Sequence, residues 1–181
     1  MIARGVIGAV LVGLLVGGAL AYASLDDPSP RPIDRSALRA YEQAVVPIVQ
    51  EGGKVVELGM KPAMDDLEHR HVVPPAAIGT EGDAWVRSLQ QLRGRLSHVR
   101  TPVQLKQATS QFLVALDGYT AAARAFAEAA RSTGTARAQF IRRGIALAES
   151  ADHTYDRGSA VLQRARRSLG LPPSPNFPQP T

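Results

Sequence analysis

From Leu38 to Leu169 apolar residues return every three or four positions, and nowhere in the chain do they alternate with period two. A helix turns once in 3.6 residues, whereas a strand sends successive side chains to opposite faces. The spacing therefore commits the chain to helices and leaves no half-buried strand to build a sheet. Asp34 is placed to cap a first helix with the stripe Leu38, Tyr41, Val45, Ile48/Val49, Gly52, Val55/Val56, Gly59, Ala63 and Leu67. Pro47 and Pro62 lack the backbone donor and crowd the preceding turn, so kinks or short breaks are expected at both. The loop HVVPPAAIG, residues 71–79, ends this helix.

Thr80 is expected to open the second helix, with Asp83 placed as in a capping box, and its stripe is Trp85, Leu89, Leu92, Leu96 and Val99. The third is expected to begin at Thr101, with Pro102 at its first position and Gln104 at its third. Its stripe runs Leu105, Ala108, Phe112, Ala115/Leu116, Tyr119, Ala122/Ala123 and Phe126. Gly134 ends it and Thr135 starts the fourth, whose inward residues are Ile141, Ile145, Ala148, Asp152, Tyr155, Val161/Leu162, Ala165 and Leu169. Asp152 is the one polar gap in that stripe. Gly170 and Pro172 stop the helix. Short connections between amphipathic helices predict an all-α fold, an antiparallel four-helix bundle over residues 34–169 with a long, proline-kinked first helix.

In front of the bundle, residues 5–25 carry no charge. At 1.5 Å per residue they are long enough to cross a hydrocarbon core of about 30 Å. Residues 1–4 hold Arg4, and Asp26 and Asp27 follow the segment, which predicts a cytoplasmic N-terminus and an extracytoplasmic bulk. A retained anchor is expected, with Gly13 and Gly17 forming a GxxxG face for close helix pairing. The competing reading is a signal peptide cut after Ala23 in the A-x-A-like Ala21-Tyr22-Ala23, which releases a secreted domain. Residues 26–33 read as a proline-rich linker, and residues 170–181 as a proline-rich tail, disordered or strapped along the bundle.

The chain has no cysteine, which excludes disulfides, thiolate catalysis and lipidated cysteine. Its net charge is +5, and only Lys54, Lys61 and Lys106 among its 21 basic residues are lysine. With abundant Ala, Gly and Pro, that excess of arginine reads as the codon usage of a GC-rich bacterial genome. For an exported basic domain, anionic lipid or wall polymer is a better partner than nucleic acid.

Chemistry-bearing patterns are sparse. Glu68-x-x-His71 has the spacing that ferritin-like bundles use for inward ligands. The fourth helix offers Glu149 and His153 at a different spacing, so no second copy of the motif exists. Met60, Met64, His98 and His153 are the residue types of haem ligation, yet Cys-x-x-Cys-His is missing, and methionine at helical spacing is ordinary core filling. Glu149, Asp152, His153, Tyr155 and Asp156 are acid–base groups on consecutive turns, the usual pattern of a solvated face. The reading assigns no catalytic, cofactor-binding or metal-ligating residue.

An exported four-helix domain on a membrane helix resembles, in architecture, the ligand-binding half of bacterial chemoreceptors and sensor kinases. With four cytoplasmic residues and no output domain, a sensing role implies a separate membrane partner. The expected function is a non-enzymatic, membrane-anchored interaction or scaffolding protein of the bacterial envelope. The alternative is an exported metal- or small-molecule-binding module with Glu68, His71, Glu149 and His153 as nameable ligands. Expected partners are membrane lipid through residues 5–25, an envelope protein, and anionic head groups through Arg157, Arg164, Arg166 and Arg167.

Overall fold

Asp34 caps the first helix as its sequence position demands, accepting the Ala37 amide at 2.7 Å and satisfying one of the unpaired donors of the first turn. The computed structural model describes residues 32–70 and 74–177, and every regular element in it is helical. The anchor-or-signal segment 5–25, Ala23, Gly13, Gly17, most of the linker, His71 and residues 178–181 lie outside the described residues. Among the described residues no helix is long and apolar enough to cross a membrane.

The first arm runs as α1 (Arg35–Lys54), a π-helical segment Val55–Met60, α2 (Lys61–Asp65) and a second π-helical segment Asp66–Arg70. Of the kinks or short breaks expected at the prolines, no break occurs. Pro47 sits inside α1 without ending it, and Pro62 falls in the first turn of α2, directly after the widened turns of the first π segment. Widening the helix ahead of a proline relieves the clash between its ring and the earlier carbonyl while the helical path continues.

Helix α3 (Pro75–Ser97) starts five residues before the expected Thr80, with Pro74 as its cap and Pro75 at the first position, where a missing amide costs nothing. Thr80 instead bonds the Ala76 carbonyl at 3.0 Å from within the helix. The early turn is held by packing: a side chain at Gly82 would meet Ala127, so α3 lies close against α4. Helix α4 (Lys106–Arg131) follows a 3-10 turn, Val103–Leu105, capped by Pro102. Thr101 opens nothing, because its hydroxyl bonds the Val99 carbonyl at 3.1 Å and meets that of Thr109. Helix α5 (Gly134–Ser168) begins at Gly134, whose φ of 54° turns the chain, and Thr135 lies inside it. It ends as expected at Gly170 (φ 66°), with Leu171 N–H on the Arg166 carbonyl and Gly170 N–H on that of Arg167, both 3.0 Å.

The four arms pack as antiparallel neighbours. The α3 stripe is buried from Trp85 to Leu96 and the α4 stripe from Leu105 to Phe126, Tyr119 alone being half-buried. The inward face of α5 matches the expected one at Ile141, Val161 and Leu162 and departs from it in between. Gly144, Ala151, Thr154 and Gly158 are buried, while Ile145, Ala148, Asp152 and Tyr155 are half-buried. The reason is interlocking with α4. Phe126 fills the space beside Gly144, Gly118 accepts Ala151, and Phe112 fills the space beside Gly158. Gly144 and Gly158, fourteen apart on α5, thus receive rings fourteen apart on α4, with Ala151 midway set against Gly118, and the small size of these residues hides them from a search for an apolar stripe.

Candidate functional site

Where α4 and α5 interlock, α1 and α5 stay apart. Their link at one end is polar: Arg166 donates to both carboxylate oxygens of Glu42 at 2.7 Å, and Arg35 to the Leu169 carbonyl at 2.9 Å. The end of the fourth arm therefore does lie beside the start of the first. The gap above this link is filled from the C-terminus. Gln163, 2% exposed on α5, donates to the Ser174 carbonyl at 3.1 Å and to that of Phe177, and accepts the Ser174 amide at 3.0 Å. Phe177 is fully buried and stacks on Phe112, with ring centroids 5.7 Å apart. Gln50 of α1 donates to the Asn176 side chain at 3.0 Å, and Arg166 to the Pro172 carbonyl at 2.7 Å. Of the two fates expected for the tail, residues 171–177 take the strap.

Beyond Phe177 the seam remains open as a cavity of about 190 Å³. Ile48, Val49, Gly52 and Gly53 of α1 form one wall, with Val56 and Glu57 of the π segment. Phe112, Ala115, Leu116 and Tyr119 of α4 form the second, and Asp152 and Tyr155 of α5 the third. Gly53 and Glu57 are exposed at the rim, and a side chain built at Gly53 meets nothing within 4 Å. The π segment contributes to this wall because Gly59 sits on the Trp85 indole, where a side chain would collide, and that contact fixes the widened turns against α3. Such segments recur at functional sites because they re-aim side chains without ending a helix.

The polar chemistry of the cavity is one-sided. Tyr119 donates its hydroxyl to Asp152 Oδ1, and Tyr155 donates to the Asn176 carbonyl at 3.5 Å. No cation among the described residues pairs with Asp152, and its second oxygen accepts no hydrogen bond from them. Burial pushes the Tyr119 hydroxyl well above its ordinary range, and Asp152, by hydrogen bond and by charge, adds to the shift. Tyr155 is raised by burial and by Asp156. Glu57 is paired with Lys61 one turn along at 2.5 Å.

The sequence candidates are dispersed. Glu68 is exposed in the second π segment beside Ile141, and His69 faces Asp65 at 3.3 Å. Glu149 and His153 are exposed on α5, and His153 lies about 18 Å of helix axis beyond Ile141. Glu68 is thus not brought to His153. Among the described residues no group of three or more His, Asp or Glu is placed to hold a metal ion. Met60 is buried core, and His98 closes α3 with Nδ1 on the Gly94 carbonyl at 2.7 Å. Of the acid–base group, Asp152 and Tyr155 reach the cavity. The arginine cluster is divided: Arg166 is 15% exposed and committed to Glu42, Arg157 bonds Gln111 and Thr154, and Arg164 and Arg167 are exposed. Sequence reasoning missed Gln163 and Phe177. The signal available was one large aromatic in an otherwise proline-rich tail.

No protein-family model matches the chain, and comparisons with curated proteins and with solved structures likewise find no match.

Proposed function

We propose that the chain is an extracytoplasmic helical-bundle module of the bacterial envelope, anchored through residues 5–25, that binds a small organic molecule in the α1/α5 seam without catalysis. The observation that carries this reading is the seam itself. A bundle that interlocks glycine against phenylalanine along α4/α5 leaves a cavity of about 190 Å³ between α1, α4 and α5. An apolar cavity with a few convergent polar groups is the usual form of a ligand site. A cavity of about 150 Å³ lined by Leu, Ile and Phe binds benzene, so the space suits one small ring with a short substituent.

The scaffolding reading has less support, since the large exposed apolar residues among those described, Leu58, Val103 and Val114, lie on three separate elements. Lipid contact by arginine is proposed for Arg157, Arg164 and Arg167, the exposed members of the cluster. The test uses full-length protein purified from membranes. Its intact mass should begin at Met1, and a library of small organic compounds should raise its melting temperature through some members. Gly53→Leu, which fills the cavity from its rim, should abolish those shifts. A mass beginning at Ser24 removes the anchor; shifts equal in both proteins, or absent, remove the ligand.

A further inference from the structure

Every charged group in the cavity wall is acidic, although the whole chain is basic. Its side-chain polar groups are Glu57, Asp152 and the hydroxyls of Tyr119 and Tyr155, with no Lys, Arg, His, Asn, Gln, Ser or Thr among them. Glu57 is turned along its own helix to Lys61, and the Tyr119 hydroxyl is spent on Asp152. The Tyr155 hydroxyl is aimed at the tail. What remains without a protein partner among the described residues is an acceptor, the second oxygen of the half-buried Asp152, which is open to solvent and to a ligand. An anionic ligand would find no cation, and a ligand rich in acceptors would find no unspent donor. A ligand bringing its own charged donor satisfies the site, and the rings of Phe112, Tyr119 and Tyr155 offer π faces to a cation.

We infer that the α1/α5 cavity is a site for a small organic cation, a protonated amine on an apolar ring or short branched body, with its ammonium on Asp152 and its body against Ile48, Val56, Leu116 and Phe112. The inference rests on the reading of the seam as a ligand site and narrows it to one chemical class. Tyr119 acts as a positioning residue: its hydrogen bond fixes one carboxylate oxygen and leaves the other to the ligand.

The test titrates full-length protein, held in discs of zwitterionic lipid so that amines gain nothing from the bilayer's charge, by isothermal calorimetry. Three probes share one body: 2-phenylethylamine, the neutral 2-phenylethanol and the anionic phenylacetate. The amine should bind at least about tenfold more tightly than the alcohol, because both can donate to Asp152 but only the amine brings a positive charge, and phenylacetate should not bind. Asp152→Asn should remove the preference for the amine over the alcohol. Tyr119→Phe keeps the charge and should retain that preference. Should Asp152→Asn lower the melting temperature, continued binding of the alcohol still reports an intact cavity. Equal affinity for amine and alcohol in the wild type overturns the cation assignment and leaves the ligand site standing. Absence of binding by all three probes overturns both.

Discussion

The α4/α5 interface and the α1/α5 seam are built from the same residue types and come out opposite. Both contain glycines and aromatic rings, but only along α4/α5 do the two meet. Along α4/α5 the glycine is used up: Phe126 occupies the space beside Gly144 and Phe112 the space beside Gly158. Along the seam, Gly52 stands in ordinary contact with Leu92 and Leu116, and Gly53 faces open space. A glycine is a packing device only when a neighbouring side chain fills the volume it vacates. Otherwise it makes a hole, and here the chain closes part of the hole with its own C-terminus.

The comparison can be broken from the packed side most forcefully. Phe112→Ala removes the ring that touches Gly158, Tyr155 and Phe177 at once, and should cost about 4 kcal/mol in chemical denaturation. Gly144→Ala puts a methyl 2.5 Å from the Phe126 ring, and the overpacking should outweigh the gain in helix propensity, a net loss of about 2 kcal/mol. A smaller effect comes from alkali. Tyr41, Tyr119 and Tyr155 all have folded-state pKa values raised above the ordinary 10.0, by burial first. The unfolded chain therefore releases these protons earlier than the folded one. Stability from these groups is complete below pH 10 and declines as pH rises through the raised range, by up to about 1.4 kcal/mol per tyrosine for each pH unit. Denaturation at stepped alkaline pH should show that decline, and Tyr119→Phe should make it shallower. The smallest effect has the opposite sign. Gly53→Ala, in a helix interior with nothing near, should stabilise by roughly 0.5 to 1 kcal/mol. A destabilising Gly53→Ala would mean that the seam is as closely packed as α4/α5.

How much of this was legible beforehand follows the same division. Helices, their antiparallel order, the Asp34 cap and the Gly170 stop are written in local sequence, because each depends on residues within a turn or two. The early start of α3 at Pro75 was not, since its first turns are held by contact of Gly79 and Gly82 with α4, residues some fifty positions away. Nor does local sequence show how Pro62 is absorbed, because the π turns ahead of it depend on Gly59 meeting Trp85. The middle of the buried face of α5 was hidden for a related reason, as Gly144, Ala151 and Gly158 meet α4 with little or no side chain. Asp152 did show itself as a polar gap in an apolar stripe, but its meaning required Tyr119 from another helix. The Glu68–His71 pattern pointed to one end of the molecule, whereas the candidate site is the seam that the tail leaves open.

The most direct test of that seam is nuclear magnetic resonance of labelled full-length protein titrated with 2-phenylethylamine. The account predicts saturable shifts concentrated at Gly53, Val56, Tyr119, Asp152 and Tyr155, absent in Gly53→Leu. Saturable shifts at the exposed arginines or along α4/α5, with the seam residues unmoved, would contradict it.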